Sequence, residues 1–400
     1  MVNITVVDSI MGAGKTSWAI QYMNEASPLE KFIYITPFLT EVERVKSSVS
    51  SRNFLPPNNA NVEKTKMRSL KDLIVQGADI VSTHSLFQTA DDELIELITD
   101  SGYTLILDEV MTVIEPVSVK ASDIKKLEAS GDIIIDGNKV IWTGDPHDDS
   151  RYRDVRELAQ AGNLFYHRGK FLIWAFPPSV FAAFSKVLIL TYMFDGQIQR
   201  YYYDMFRFEY KYKSVVSANG VYSLIDYDRT RENRRELFGL IDIYEGKKND
   251  IGSRKNALSA TFLRRGDLDT LKQLKNHIYG YFINDIKAKK HEVFWSTLKE
   301  LEGPLTPKGY KGRYIPVNAR ATNEYQDVST LAYIFNRYPN PHERAFFEDN
   351  GVTVNVEALA VSDLLQWIWR SRIRNNEPIN LYLPSSRMRE LLKAWADYEI

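Results

Sequence analysis

Ser9-Ile10-Met11-Gly12-Ala13-Gly14-Lys15-Thr16 has the residue types and spacing of a loop that holds nucleotide phosphates. Small residues let backbone N–H groups close around a β-phosphate, a lysine reaches the β- and γ-oxygens, and a hydroxyl helps to hold Mg²⁺. Gly14, Lys15 and Thr16 fill the strict end of that pattern; Ser9 stands where glycine is commonest, and Gly12 adds freedom inside the loop. The phosphate-binding candidates are Gly12, Ala13, Gly14, Lys15, Thr16 and Ser17. A second element is Leu105-Ile106-Leu107-Asp108-Glu109, an apolar strand ending in adjacent carboxylates. Asp108 would join Thr16 in holding Mg²⁺, through water, and Glu109 would polarise an attacking water. A glutamate in that second position favours hydrolysis over binding alone.

These residues need elements that aim them. Ile4–Val7 is a β-branched strand before the loop, and Ser17–Asn24 reads as a helix after it. The helix start then points its partial positive charge at the phosphates. Further short apolar runs, Phe32–Ile35, Ile80–Ser82, Leu105–Leu107 and Val187–Leu190, have the character of strands buried on both faces of a parallel sheet. Helical spacing over Phe38–Ser48 and Leu70–Gln76 lies between them. The alternation predicts an α/β fold with nucleotide at the carboxyl edge of the sheet. Asp-Gly-Asn inside Ile133–Trp142 is a hairpin signal and predicts a small β-hairpin insertion in or beside the first lobe. Phe171–Phe184 reads as two buried strands or as a strand and a helix. Tyr201–Tyr212 is rich in aromatics, which suits either a helix packed on a seam or a base-stacking surface. Beyond it, Val293–Thr297, Arg313–Val317 and Ile379–Leu383 resume the strand pattern, and Ser386–Trp395 closes it with a helix. A boundary near Phe194–Asp204 predicts two lobes, 1–200 and 201–400.

Composition narrows the function classes. At 400 residues, with a formal net charge of −1, the chain has room for two domains and is not a uniformly basic protein. The absence of cysteine excludes disulfides, thiolate zinc sites and thiol catalysis. The start lacks a signal-peptide pattern, and the Phe171–Phe184 stretch is broken by Pro177 and Pro178 and too short for a bilayer span. A cytoplasmic location without membrane contact is expected.

Two further groups carry chemistry. Thr36, and Ser82-Thr83-His84, end apolar strands with hydroxyls that suit backbone phosphates of a nucleic acid, although ordinary helix caps use the same residues. His84 has no partner at metal-ligand spacing. Late in the chain, Gln366, Arg370 and Arg374 recur at every fourth position of an apolar helical pattern. On one helix they would form a stripe, drifting only about 40° per step. Permanently charged, planar guanidinium groups suit a transferring γ-phosphoryl, while a solvated basic face is the plain alternative.

In this order the motifs resemble those of the superfamily 2 (DExx-box) helicases, and among them the compact helicases encoded by tailed bacteriophages. Ser9–Thr16 is similar to motif I, Thr36-Pro37 to Ia, Ser82-Thr83 to Ib, Asp108-Glu109 to II and Leu190-Thr191-Tyr192 to III. Val293–Thr297 is similar to motif IV, Val317–Asn323 to V and Gln366–Arg374 to VI. Departures are Met111 at the usual fourth position of motif II and Thr191-Tyr192 in place of Ser-Ala-Thr.

The resemblance implies an α/β chain of two RecA-like parallel-sheet lobes with an ATP cleft between them. It implies an ATP- and Mg²⁺-dependent helicase or translocase, acting in phage DNA replication or recombination. Catalysis would rest on Lys15, Glu109, Gln366, Arg370 and Arg374, and metal binding on Thr16 and Asp108. Nucleic acid, DNA before RNA and single-stranded or forked, would meet Thr36, Thr83 and His84 on one lobe, and Thr297, Arg320, Thr322 and Asn323 on the other. Replication or recombination proteins would be further partners, and host cytoplasm the location if the chain is phage-encoded. A viral packaging ATPase, a nucleoside kinase and a non-motor phosphate-loop switch stand as alternatives.

Overall fold

The computed structural model describes residues 2–37, 39–87, 90–317 and 324–400. The chain divides into two compact units. One comprises Met1–Ser9, Ala13–Tyr227 and Asn340–Val354; the other comprises Ile10–Gly12, Asp228–Pro339 and Asn355–Ile400. The division after Tyr227 replaces the expected one at residue 200, and a late segment of the chain belongs to the first unit.

The first unit is built on strands β1 (Asn3–Asp8), β2 (Phe32–Thr36), β3 (Phe54–Leu55), β4 (Asp79–Thr83) and β5 (Thr104–Asp108). An excursion follows through β6 (Ile114–Val117), β7 (Ile133–Asp136), β8 (Lys139–Trp142), β9 (Leu164–His167) and β10 (Phe171–Ala175). The chain then returns as β11 (Lys186–Thr191), β12 (Tyr210–Ala218) and β13 (Val221–Asp226). The main sheet has eight strands in the order β13-β12-β1-β11-β5-β2-β4-β3. All neighbours are parallel except the β12–β13 hairpin. Val6, Val7, Ile33, Ile35, Ile106 and Leu107 are fully buried, as continuous apolar strands covered on both faces must be. The expected α/β class holds, and each apolar run read as a strand in the first half is one.

The insertion is larger than a hairpin. β7 and β8 do form one, but within a five-stranded antiparallel sheet ordered β6-β10-β9-β8-β7. One face packs on the helices Ala121–Ser130 and Arg153–Gln160 through Ile124, Leu127, Val140, Val155, Leu164 and Leu172. Against the other face lies the helix Pro341–Asp349 from the late segment. Phe346 meets Phe165 and His167 at ring distances of 6.1 and 5.4 Å, and Arg168 forks onto Asp349 with two bonds of 2.7 Å. Phe347 also packs against Tyr201, 5.9 Å away. Tyr201, Tyr202 and Tyr203 are fully buried, so this part of the aromatic run is core and not a base-stacking surface.

The second unit carries β14 (Ile241–Ile243), β15 (Val293–Ser296), β16 (Thr330–Tyr333) and β17 (Ile379–Tyr382), all parallel, in the order β14-β17-β16-β15. β14 and β16 carry no motif and were not expected from the sequence. Arg313–Val317, expected as a strand, contributes only a single bridge between Tyr314 and Trp295. Among the described residues no helix is long and apolar enough to cross a membrane.

Phe346 is 4% exposed and is the apolar centre of the late segment's contact with the insertion. Phe346→Ala is expected to cost about 3 kcal/mol in urea denaturation and to open 340–354 to limited proteolysis. Unchanged stability and protease resistance would show that the segment is held by other means.

Candidate nucleotide site

The phosphate loop leaves β1 at Asp8 and enters the helix Lys15–Glu25. Gly12 and Gly14 sit at φ +85° and +92°, the left-handed region that glycine occupies without strain. Gly14 is the helix N-cap, makes no side-chain cap, and no acid lies in the first turn. Helix starts usually recruit a Ser, Thr, Asp or Asn side chain to their free N–H groups. This one recruits no such side chain.

Ser9, which departs from the commonest loop pattern, is explained by its bonds. Its N–H donates to the Thr191 carbonyl at 3.1 Å, and its hydroxyl accepts from the Val215 N–H at 2.8 Å. Its carbonyl accepts from Lys15 Nζ at 2.6 Å. Glycine could not make the second bond, which ties the loop to β12. The neighbouring Asp8 carboxylate accepts from the N–H groups of Met193 and Phe194, both at 2.9 Å, and thereby holds the turn after β11.

The sheet order separates β1 from β5 by one strand, β11, and brings their carboxyl ends to the same edge. The Thr16 hydroxyl donates to the Asp108 carboxylate at 3.3 and 3.4 Å. A third member, Tyr34 on β2, donates its phenol to the same carboxylate at 2.8 Å and is fully buried. Sequence reading missed Tyr34; its signal was a phenol inside the apolar run Phe32–Ile35, on the strand next to the acid-bearing one. Burial pushes the Asp108 carboxyl up to about 6, and Glu109 and Glu41 add to the rise. The Tyr34 hydroxyl and the Lys15 charge pull the other way. Glu109 lies at φ +84°, where glutamate is strained, while its N–H still bonds the Leu190 carbonyl at 3.0 Å. The backbone therefore leaves the strand direction at the residue expected to act on water. Met111 is buried and its N–H donates to Gln199 Oε1 at 2.7 Å, so this element is anchored through its backbone.

Other expected residues fall elsewhere. Thr36 and Thr297 are fully buried, and Thr297 donates its hydroxyl to the Ile334 carbonyl at 3.1 Å. His84 is buried at the start of the helix His84–Phe87. As placed, these three side chains are not surface contacts for nucleic acid. Thr83 is half-buried at the rim of a cavity of about 210 Å³ lined also by Leu39, Val42, Pro57 and Lys66. Arg320, Thr322 and Asn323 lie outside the described residues.

The helical stripe is also corrected. The helix Val356–Ile368 ends before the arginines, and Arg372–Asn375 is a separate 3₁₀ turn. Gln366 is half-buried on the helix, Arg370 is 5% exposed in the turn after it, and Arg374 is exposed. Trp369 and Ile373, on either side of this turn, are both buried.

Comparison with known proteins adds a family. Residues 114–174 match the YonV middle domain, and residues 235–396 match the YonV C-terminal Rossmann-like domain. The chain is 39% identical over 408 residues to the SPbeta prophage-derived uncharacterized protein YonV of Bacillus subtilis (strain 168), covering 99% of each. It belongs to the YonV family. Among solved structures it is similar to S. tokodaii Xpd4 at TM-score 0.48 and 12% identity, over 100% of this chain and 94% of that one. It is also similar to the DUF1998 helicase MrfA, solved bound to DNA and AMPPNP, at TM-score 0.37 and 10% identity, over 100% of this chain and 48% of that one.

Gly14 offers a direct test of the loop geometry. A Cβ there would overlap the Tyr222 ring on β13 and would force a left-handed φ on alanine. Gly14→Ala is expected to cost about 1–3 kcal/mol in urea denaturation. Adding Tyr222→Ala should recover only the part due to the ring, and a Gly14→Ala protein of unchanged stability would show that the loop is not held in this form.

Proposed function

We propose, for this member of the YonV family, an ATP-dependent motor on nucleic acid of the superfamily 2 helicase type. One observation carries the proposal: the Thr16 hydroxyl and the Asp108 carboxylate meet within 3.4 Å beside a helix start that has no capping side chain. A hydroxyl beside a carboxylate is a donor set that suits Mg²⁺, and the ion, when bound with ATP, would spread charge from the phosphates. The N–H groups from Ala13 to Ser17 would hold the β-phosphate. Lys15 would exchange its bond to the Ser9 carbonyl for the β- and γ-oxygens. Tyr34 fixes the Asp108 carboxylate and, being a neutral donor, favours its ionised form. Glu109, turned off the strand, would orient a water and accept its proton. The proposal gives Arg370 the stabilisation of charge on the γ-phosphoryl, with Gln366 and Arg374 as its companions. Thr83 and its neighbouring surface would touch a phosphate backbone, DNA before RNA.

ATP hydrolysis measured without polymer, and with single-stranded DNA, duplex DNA and RNA at two salt concentrations, tests this. Stimulation by a polymer, weakening with salt, is expected; stimulation by none would favour a kinase or a switch. Lys15→Ala and Glu109→Gln are each expected to lower turnover by about a hundredfold or more, with the Glu109 variant still binding a fluorescent ATP analogue. Arg370→Ala should keep ATP affinity and lose turnover, and full activity in it would remove that arginine from the mechanism.

A further inference from the structure

The Asp228–Pro339 segment carries a cluster of exposed lysines. The four parallel strands of this unit end at Thr297's edge; the opposite, amino edge begins at the turn Lys290–Glu292 before β15. Two loops are locked together there. The buried Tyr310 donates its hydroxyl to the Ala288 carbonyl at 2.8 Å, and its ring lies 5.0 Å from Phe282. Arg313 adds bonds of 2.7 and 3.0 Å to the carbonyls of Val293 and His291. The lock sets Lys287 and Lys289, which flank Ala288, beside Lys308 and Lys311, which flank Tyr310; all four are exposed.

Among the described residues, the acids near this cluster are engaged by other groups. Asp285 pairs with Lys248 at 2.7 Å, Glu300 with Arg264 at 2.7 Å and Glu302 with Lys299 at 2.8 Å. Glu292 accepts from the Lys289 backbone N–H at 2.7 Å. Lys287 also holds a left-handed φ of +59° at the end of its turn, where glycine or asparagine would sit with less strain.

An apolar platform adjoins the lysines. Tyr279 lies in the last turn of the helix Leu268–Gly280 and Ile283 follows four residues later; they are 37% and 39% exposed. Phe282, whose ring lies 5.0 Å from that of Tyr310, stands between them in the chain and ties this stretch to the Lys308–Lys311 loop. Lysine point charges around an exposed aromatic ring suit a single strand, whose phosphates take the charges and whose bases stack on the ring. An acidic protein surface would use the charges but not the ring.

We infer that Lys287, Lys289, Lys308, Lys311 and Tyr279 form an accessory binding track for single-stranded nucleic acid, on the sheet edge opposite to Thr297. The inference rests on the nucleic-acid reading above and adds a site to it. The test uses the full chain without nucleotide, a labelled oligothymidylate, and fluorescence anisotropy across a salt series. With all four lysines changed to glutamine, affinity should fall at least about tenfold near 0.1 M salt, and the log–log salt slope should shrink by about 2–3. Tyr279→Ala should weaken binding about fivefold or more and leave the slope unchanged. Unchanged affinity and slope in the quadruple variant would overturn the track while leaving the motor reading standing. Oligothymidylate binding that depends on the lysines, without any stimulation of ATP hydrolysis, would support the track and overturn the motor. Polyglutamate bound as tightly as oligothymidylate, with no loss in Tyr279→Ala, would overturn the nucleic-acid assignment in favour of an acidic protein partner.

Discussion

A carboxylate drawn out of water must be compensated by donors, and the first unit is arranged around that requirement at Asp108. Three elements converge on it: the helix after the phosphate loop through Thr16, β2 through Tyr34, and β5 itself. The convergence depends on strand order. With β11 between β1 and β5, the loop and the acid pair share an edge while Thr191 closes the space between them through its bond to Ser9. Shifting any of these strands by one residue would reverse the faces of their side chains and dissolve the cluster.

The phosphate loop is buttressed from one side by the β12–β13 hairpin. Val215 holds the Ser9 hydroxyl, and Gln21 exchanges hydrogen bonds of 2.9 and 3.3 Å with the backbone of Tyr222. Tyr222 then lies over Gly14 at a distance that only a missing side chain permits. The first unit therefore extends to Tyr227: a hairpin that looks in sequence like the start of something new is part of the loop's support.

Much of this was legible because the signals are local. Ile4–Val7, Phe32–Ile35, Leu105–Leu107 and Val187–Leu190 announce buried parallel strands by composition alone, and Asp136-Gly137-Asn138-Lys139 announces a tight turn. The candidate site was legible at Lys15, Thr16, Asp108 and Glu109, whose types are dictated by chemistry, and not at Tyr34, Ser9 or Gln199, whose roles arise from packing. Short strands such as Ile241–Ile243 owe their pairing to distant partners and leave no periodic trace. The end of the helix at Ile368 has no glycine or proline to mark it. Thr36, His84 and Thr297 are polar residues at or just past strand ends that the fold keeps inside, which their types did not announce.

The return of Asn340–Val354 to the first unit has a consequence for how the molecule can be taken apart. The C-terminal family domain, residues 235–396, includes this segment, so a module drawn along the sequence cuts across a physical one. Expressing either half by truncation would strand Phe346 without Phe165, or leave the insertion's sheet with an uncovered greasy face. A dissection that respects the contacts would instead graft 340–354 onto the amino-terminal fragment and bridge the gap in the other with a short linker.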